Sequence, residues 1–121
     1  MHCYMTEKII LVNKNNIPTL KKDHIVINKI EIKEKDNIVI KVLFHGGCKE
    51  HLFRLFGFFE DNRILNLLLE HDSNGDNCKM IVRKDLIFDL LTVKNDFTMR
   101  NIRNNFLMLK LGNLEAKYHI V

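Results

Sequence analysis

The 121-residue sequence predicts an all-β fold, a compact antiparallel sandwich or barrel of about seven or eight short strands. Three observations carry this expectation. Apolar and polar residues alternate with period two along nearly the whole chain, in short runs rich in Ile, Val, Leu and Phe. Polar turn sequences separate the runs. Two dipeptides, Asn74-Gly75 and Gly112-Asn113, belong to the types that close two-residue hairpins.

The elements follow in order. "KIILV", residues 8–12, reads as a short strand, and a loop around "NKNNIP" follows it. "HIVINKIEIK" and "NIVIKVLFH" are strands joined by the polar turn "KEKDN". In the second of them Ile38, Ile40, Val42 and Phe44 share one face, and Val39, Lys41, Leu43 and His45 share the other. "EHLFRLFGFF" is ambiguous by periodicity, but its aromatic content and Gly57 favour a strand. Residues 64–83 read as a hairpin turning at Asn74-Gly75, where a type I′ turn needs φ above zero twice. That register sets His71 opposite Cys78, Glu70 opposite Lys79 and Leu69 opposite Met80. A short helical turn is expected within "DLLTVKNDFTMRNIR". A second hairpin at Gly112-Asn113, of type II′, pairs Leu107, Leu109 and Leu111 with Tyr118, Ala116 and Leu114, and Lys110 with Glu115.

Length and composition fit one domain, residues 1–121. Hydrophobic residues at 46% and charged residues at 28% argue against disorder. The net charge of +4 is spread among acids with no basic stripe and no interleaved aromatics, so nucleic acid is not an expected partner. No apolar run approaches the roughly 20 residues of a membrane span. "MHCYMTEKII" lacks the basic start and apolar core of a signal peptide. The expected location is cytoplasmic if Met1 is the true start, and extracytoplasmic if a leader was removed.

Chemistry concentrates in two clusters. "HGGCKEH" holds Gly46, Gly47, Cys48 and His51, and "EHDSNGDNC" holds His71, Asp72, Asn74, Gly75, Asp76 and Cys78. With His71 facing Cys78, and with Gly46-Gly47 bending the chain so that Cys48 and His51 approach, the four make a Cys2His2 set suited to tetrahedral zinc. A second reading makes Cys48 the nucleophile of a hydrolase or transferase, with His51 or His71 as base. Asp72 would orient that base, although the register points it to the other face. A third reading is structural: Gly46, Gly47, Asn74 and Gly75 form turns, Asp72 and Asp76 cap them, and the cysteines fill the core. "DSNGD" lacks the Gly and Glu of an EF-hand, carrying Asn77 and Arg83 at those places.

The pattern G-G-C-x-x-H, then H-D-x-x-G-D-x-C, then L-x-F-D-L over Leu86, Phe88, Asp89 and Leu90 resembles a family of small uncharacterised bacterial proteins. The resemblance covers roughly residues 25–121 and implies an all-β fold and a shared site. Members often carry a leader or lipoprotein signal, and an exported member is expected to join Cys48 to Cys78 in a disulfide. Cys3 would then remain unpaired. The function expected is that of a non-catalytic binding or structural module, acting on an unknown ligand or protein partner.

Overall fold

The computed structural model describes residues 6–99 and 105–120. Cys3 and the end of the predicted helical segment lie outside them. The fold is an all-β sandwich of two mixed sheets, not closed into a barrel. The strands are β1 (Glu7–Lys8), β2 (Ile10–Leu11), β3 (Val26–Lys33), β4 (Asn37–Gly46), β5 (Leu52–Phe59), β6 (Ile64–Asp72), β7 (Met80–Asp89), β8 (Phe106–Leu111) and β9 (Leu114–His119). One helix, α1 (Leu91–Met99), follows β7. The first sheet runs β1-β7-β4-β3 and the second β2-β5-β6-β8-β9.

Alternation in β4 sends Ile38, Ile40, Val42 and Phe44 into the space between the sheets, where all four are buried. Leu55, Leu65, Leu67, Leu107 and Leu109 meet them from the second sheet. Each such side chain contributes about 1.5–3 kcal/mol when fully withdrawn from water, which makes this layer the main stabilising force. Helix α1 closes one flank with Val93 and Phe97, both buried. Asp89 caps its start by accepting a hydrogen bond from the Leu91 backbone N–H at 2.7 Å.

The β8–β9 hairpin has the expected pairs, Leu107 with Tyr118, Leu109 with Ala116, Leu111 with Leu114 and Lys110 with Glu115. Gly112 has φ of 58°, and Asn113 is not among the positive-φ residues, as a type II′ turn requires. The "KIILV" strand is divided. Its first part, β1, joins the first sheet beside β7, and its second, β2, joins the other sheet beside β5. Buried Ile9 stands at the switch. Both of these contacts are parallel, as is β6 with β8, so the sheets are mixed.

The expected 64–83 hairpin does not form. Asn74 and Gly75 have φ of 56° and 71°, the values a type I′ turn needs, yet the strands on either side enter different sheets. β6 pairs with β5, placing His71 opposite Phe53 and Glu70 opposite Arg54. β7 pairs with β4 from Met80–Gly46 to Asp89–Asn37. Residues 73–79 therefore cross the sandwich, and residues 47–51 cross it in the other direction between β4 and β5.

Candidate functional site

The two crossing loops lie side by side at one end of the sandwich, and the chemistry of the sequence gathers there. β4 ends at Gly46, which pairs with Met80 at the start of β7. Two residues beyond each, in the continued register, stand Cys48 and Cys78. They form a disulfide with Cα atoms 5.8 Å apart, closing the open end of the β4–β7 ladder. Gly47 turns the chain with φ of 105°, a conformation that favours glycine, and Met80 packs against its backbone.

Asp76 is the hub of the loops. Its Oδ2 accepts hydrogen bonds from the Cys48 and Lys49 backbone N–H groups at 3.2 and 3.1 Å, and its Oδ1 accepts from the Cys78 N–H at 3.0 Å. His51 Nε2 lies 2.8 Å from Oδ2. The Asp76 side chain has no exposed surface. Burial alone would raise its pKa, but the bonds from Cys78, His51, Lys49 and Cys48 outweigh that and hold it well below the usual carboxylate range.

From Asp76 a buried chain of bonds runs inward. His51 Nδ1 lies 2.8 Å from His71 Nε2, and His71 Nδ1 lies 3.0 Å from the Asp23 carbonyl oxygen. Both rings are buried, and they stack with centroids 5.0 Å apart. Phe44 and Phe53 pack against them. The acceptors at the two ends fix the proton inventory. A carbonyl accepts only, so His71 Nδ1 donates to Asp23; the Asp76 carboxylate accepts only, so His51 Nε2 donates to it.

Asp23 brings in a third loop. Its carboxylate accepts from the Ser73 N–H at 2.7 Å, and this bond is the largest of the influences that lower its pKa. Its backbone N–H donates to the His71 carbonyl, while the His71 N–H donates to the Lys21 carbonyl. Beside it Glu70 pairs with Arg54 Nε, which holds the Glu70 carboxyl below its usual range, and accepts from the Lys21 N–H at 3.0 Å. The expected Glu70–Lys79 pair is thus replaced by Glu70–Arg54, a consequence of the sheet that β6 joins.

All four residues of the expected ligand set come to this end of the molecule, but in two separate arrangements. Cys48 and Cys78 are bonded to each other, and His51 and His71 use all four ring nitrogens on protein acceptors and on one another. Among the described residues, the groups with metal-ligand spacing are Cys48, Asp76 and Cys78, with ligand atoms within 4.8 Å of one another. His71 does not face Cys78. Asp72 accepts from the Asn74 N–H at 2.8 Å and pairs with Lys21, away from the histidines. Asp23 stands in no motif, and only the folding of residues 20–24 against β6 reveals it. The sequence did single out Asp76, as a turn cap, but nothing local marked its partners in the other loop.

No family model matches the chain, and no curated protein does. Solved structures share its fold. The chain is similar to the protein of unknown function DUF1344 from Bacteroides vulgatus, with 16% identity and a TM-score of 0.56 over 94% of this chain and 55% of that one. It is similar to a NigD-like immunity protein from Bacteroides caccae, with 21% identity and a TM-score of 0.63 over 88% of this chain and 53% of that one. A putative lipoprotein from Bacteroides fragilis shows 11% identity and a TM-score of 0.62 over 86% and 60%. The chain thus spans little more than half the length of these structures. At these identities the likeness is one of fold, and it places the sandwich among bacterial proteins of the same architecture.

Proposed function

We propose that the chain is a non-catalytic binding or structural module whose Cys/His cluster is a clasp between the two sheets. One observation carries this reading: every group of the cluster that could perform chemistry has a protein partner. Cys48 is bonded to Cys78, both histidines are bonded at both nitrogens, and both Asp76 oxygens accept hydrogen bonds. A nucleophile needs a free thiolate beside a base with a free lone pair, and here neither is available. The name of the Bacteroides caccae neighbour, an immunity protein, accords with recognition of a protein partner rather than turnover of a substrate.

Alkylation of the folded, unreduced protein at neutral pH tests this reading. Cys48 and Cys78 should resist iodoacetamide until the protein is reduced. Rapid labelling of Cys48 alone would mark a reactive thiolate and return the hydrolase or transferase reading.

A second reading has a specific observation in its favour. The Cys48 and Cys78 sulfurs and an Asp76 oxygen lie within 4.8 Å of one another, and zinc is the ion such a donor set would take once the disulfide is reduced. One zinc per chain in protein purified under reducing conditions would support it.

A further inference from the structure

Asn74-Gly75 is the single Asn-Gly pair in the sequence, and such a pair can modify itself. Because glycine has no Cβ to shield its nitrogen, the Gly75 backbone nitrogen is able to attack the Asn74 side-chain carbonyl carbon. The new C–N bond closes a five-membered imide, and the Gly75 proton departs with the side-chain amino group as ammonia. Water then opens the ring at either carbonyl. The product is aspartate, or the isomer in which the backbone runs through the former side chain.

The folded turn forbids the first step. The Asp76 N–H donates to the Ser73 carbonyl at 3.0 Å, and φ of 56° and 71° at Asn74 and Gly75 make the turn type I′, in which ψ of Asn74 lies near about +30°. At that angle the Gly75 nitrogen stands nearly opposite the Asn74 Cβ across the Cα–C bond, whereas the ring needs the two eclipsed. Nearly half a turn of the backbone separates the two states. The leaving amide is also held, because Asn74 Nδ2 donates to the Glu50 carbonyl at 3.2 Å, and the Asn74 N–H donates to Asp72 Oδ1 at 2.8 Å. Reaction therefore waits for this loop to open.

Three ties flank the turn and keep it closed. Ser73 N–H donates to Asp23 at 2.7 Å, Asp76 accepts from Cys48 and Lys49 in the facing loop, and Cys78 is bonded to Cys48. Of these only the disulfide is cut and remade by the redox state of the surroundings. We propose, resting on the reading of the cluster as a clasp, that Asn74 is a redox-gated site of spontaneous deamidation. It persists while Cys48 and Cys78 are joined, and it converts once a dithiol reduces them to two thiols and is itself oxidised to a disulfide. The conversion runs one way. The isomer inserts a backbone carbon into a two-residue turn, and either product replaces the Nδ2 donor with a carboxylate facing the Glu50 carbonyl. The loop then loses its bond to the 47–51 loop, and lasting reduction leaves a covalent mark that reoxidation does not erase.

Peptide mapping of the full chain tests the proposal, after incubation at mildly alkaline pH with and without dithiothreitol and, as a reference, in urea. It reads the conversion of the residue 74 amide to an acid and resolves the two isomers. Oxidised protein should convert at about one-tenth of the reduced rate or less, and reduced protein should approach the rate in urea. Asp23→Ala cuts the tie to Ser73 and leaves the disulfide, so the oxidised variant should convert about threefold faster or more than the oxidised wild type. That variant decides the matter if circular dichroism shows that reduction unfolds the chain outright; an unchanged rate in it would then overturn the proposal. An intact disulfide with equal oxidised and reduced rates, or an oxidised chain that converts as fast as in urea, would overturn the gate and leave the clasp standing. Free thiols at Cys48 and Cys78 in the starting sample would overturn the clasp, and the gate with it.

Discussion

Replacing both Cys48 and Cys78 with serine removes the covalent closure of the β4–β7 ladder while leaving the hydrogen bonds of Asp76 in place. The bond joins residues 30 apart in sequence. The chain entropy that such a closure removes from the unfolded state is about 12 cal/mol/K, or about 3.6 kcal/mol at 25 °C. For a chain of this size each kcal/mol moves the melting midpoint by roughly 3–6 °C, so the double variant should melt roughly 10–20 °C below the wild type. Circular dichroism at neutral pH measures it, with and without a dithiol. Reduction should lower the wild-type midpoint towards that of the variant and leave the variant unchanged. A fall below about 1 kcal/mol, or a wild type insensitive to reductant, would refute the claim that a cross-link between these loops stabilises the fold.

Three further outcomes follow from the same contacts. Gly46→Ala would place a Cβ 2.6 Å from His51 Nε2 and 2.8 Å from Asp76 Oδ2, so it should part that pair and destabilise the fold by about 1–3 kcal/mol in urea titrations. Tyr118→Phe removes the hydrogen bond its hydroxyl donates to Asp36 at 2.8 Å, between the β3–β4 turn and the second sheet. Burial, and then that bond, push the Tyr118 phenol above its usual range, and its loss should cost about 1–2 kcal/mol by the same titration. Because the Asp76 pKa is lowered on folding, the unfolded chain binds the proton first. The stability it supplies is fully present above the ordinary value of 3.8 and is lost as pH falls from there through the lowered folded value. Asp76→Asn should be less stable than the wild type at pH 7, with the gap narrowing in denaturation curves as pH falls below that point.

How far these features were legible in the sequence depends on the range of the interaction that sets them. The faces of β4 and the β8–β9 register were legible because alternation and a two-residue turn fix them locally. The turn at Asn74-Gly75 was legible as a conformation but not as a hairpin. The apolar faces of β6 and β7 are satisfied equally well by β5 and β4, and period two carries no information about which partner wins. What decides between them is tertiary: Asp76 binds the 47–51 loop, and Asp23 binds Ser73. The gathering of Cys48, His51, His71 and Cys78 was anticipated on a wrong register. The histidines meet through the β5–β6 pairing, and the cysteines through the end of the β4–β7 ladder. The division of "KIILV" between two sheets leaves no local trace, since either half satisfies the strand pattern.

Peptide mapping without reduction, with metal analysis of the same sample, tests the clasp most directly, on protein purified without chelator or reductant. One linked peptide pair containing Cys48 and Cys78, two hydrogens lighter than the separate peptides, is expected, with no stoichiometric metal. Free thiols at both positions, with or without one zinc per chain, would contradict it.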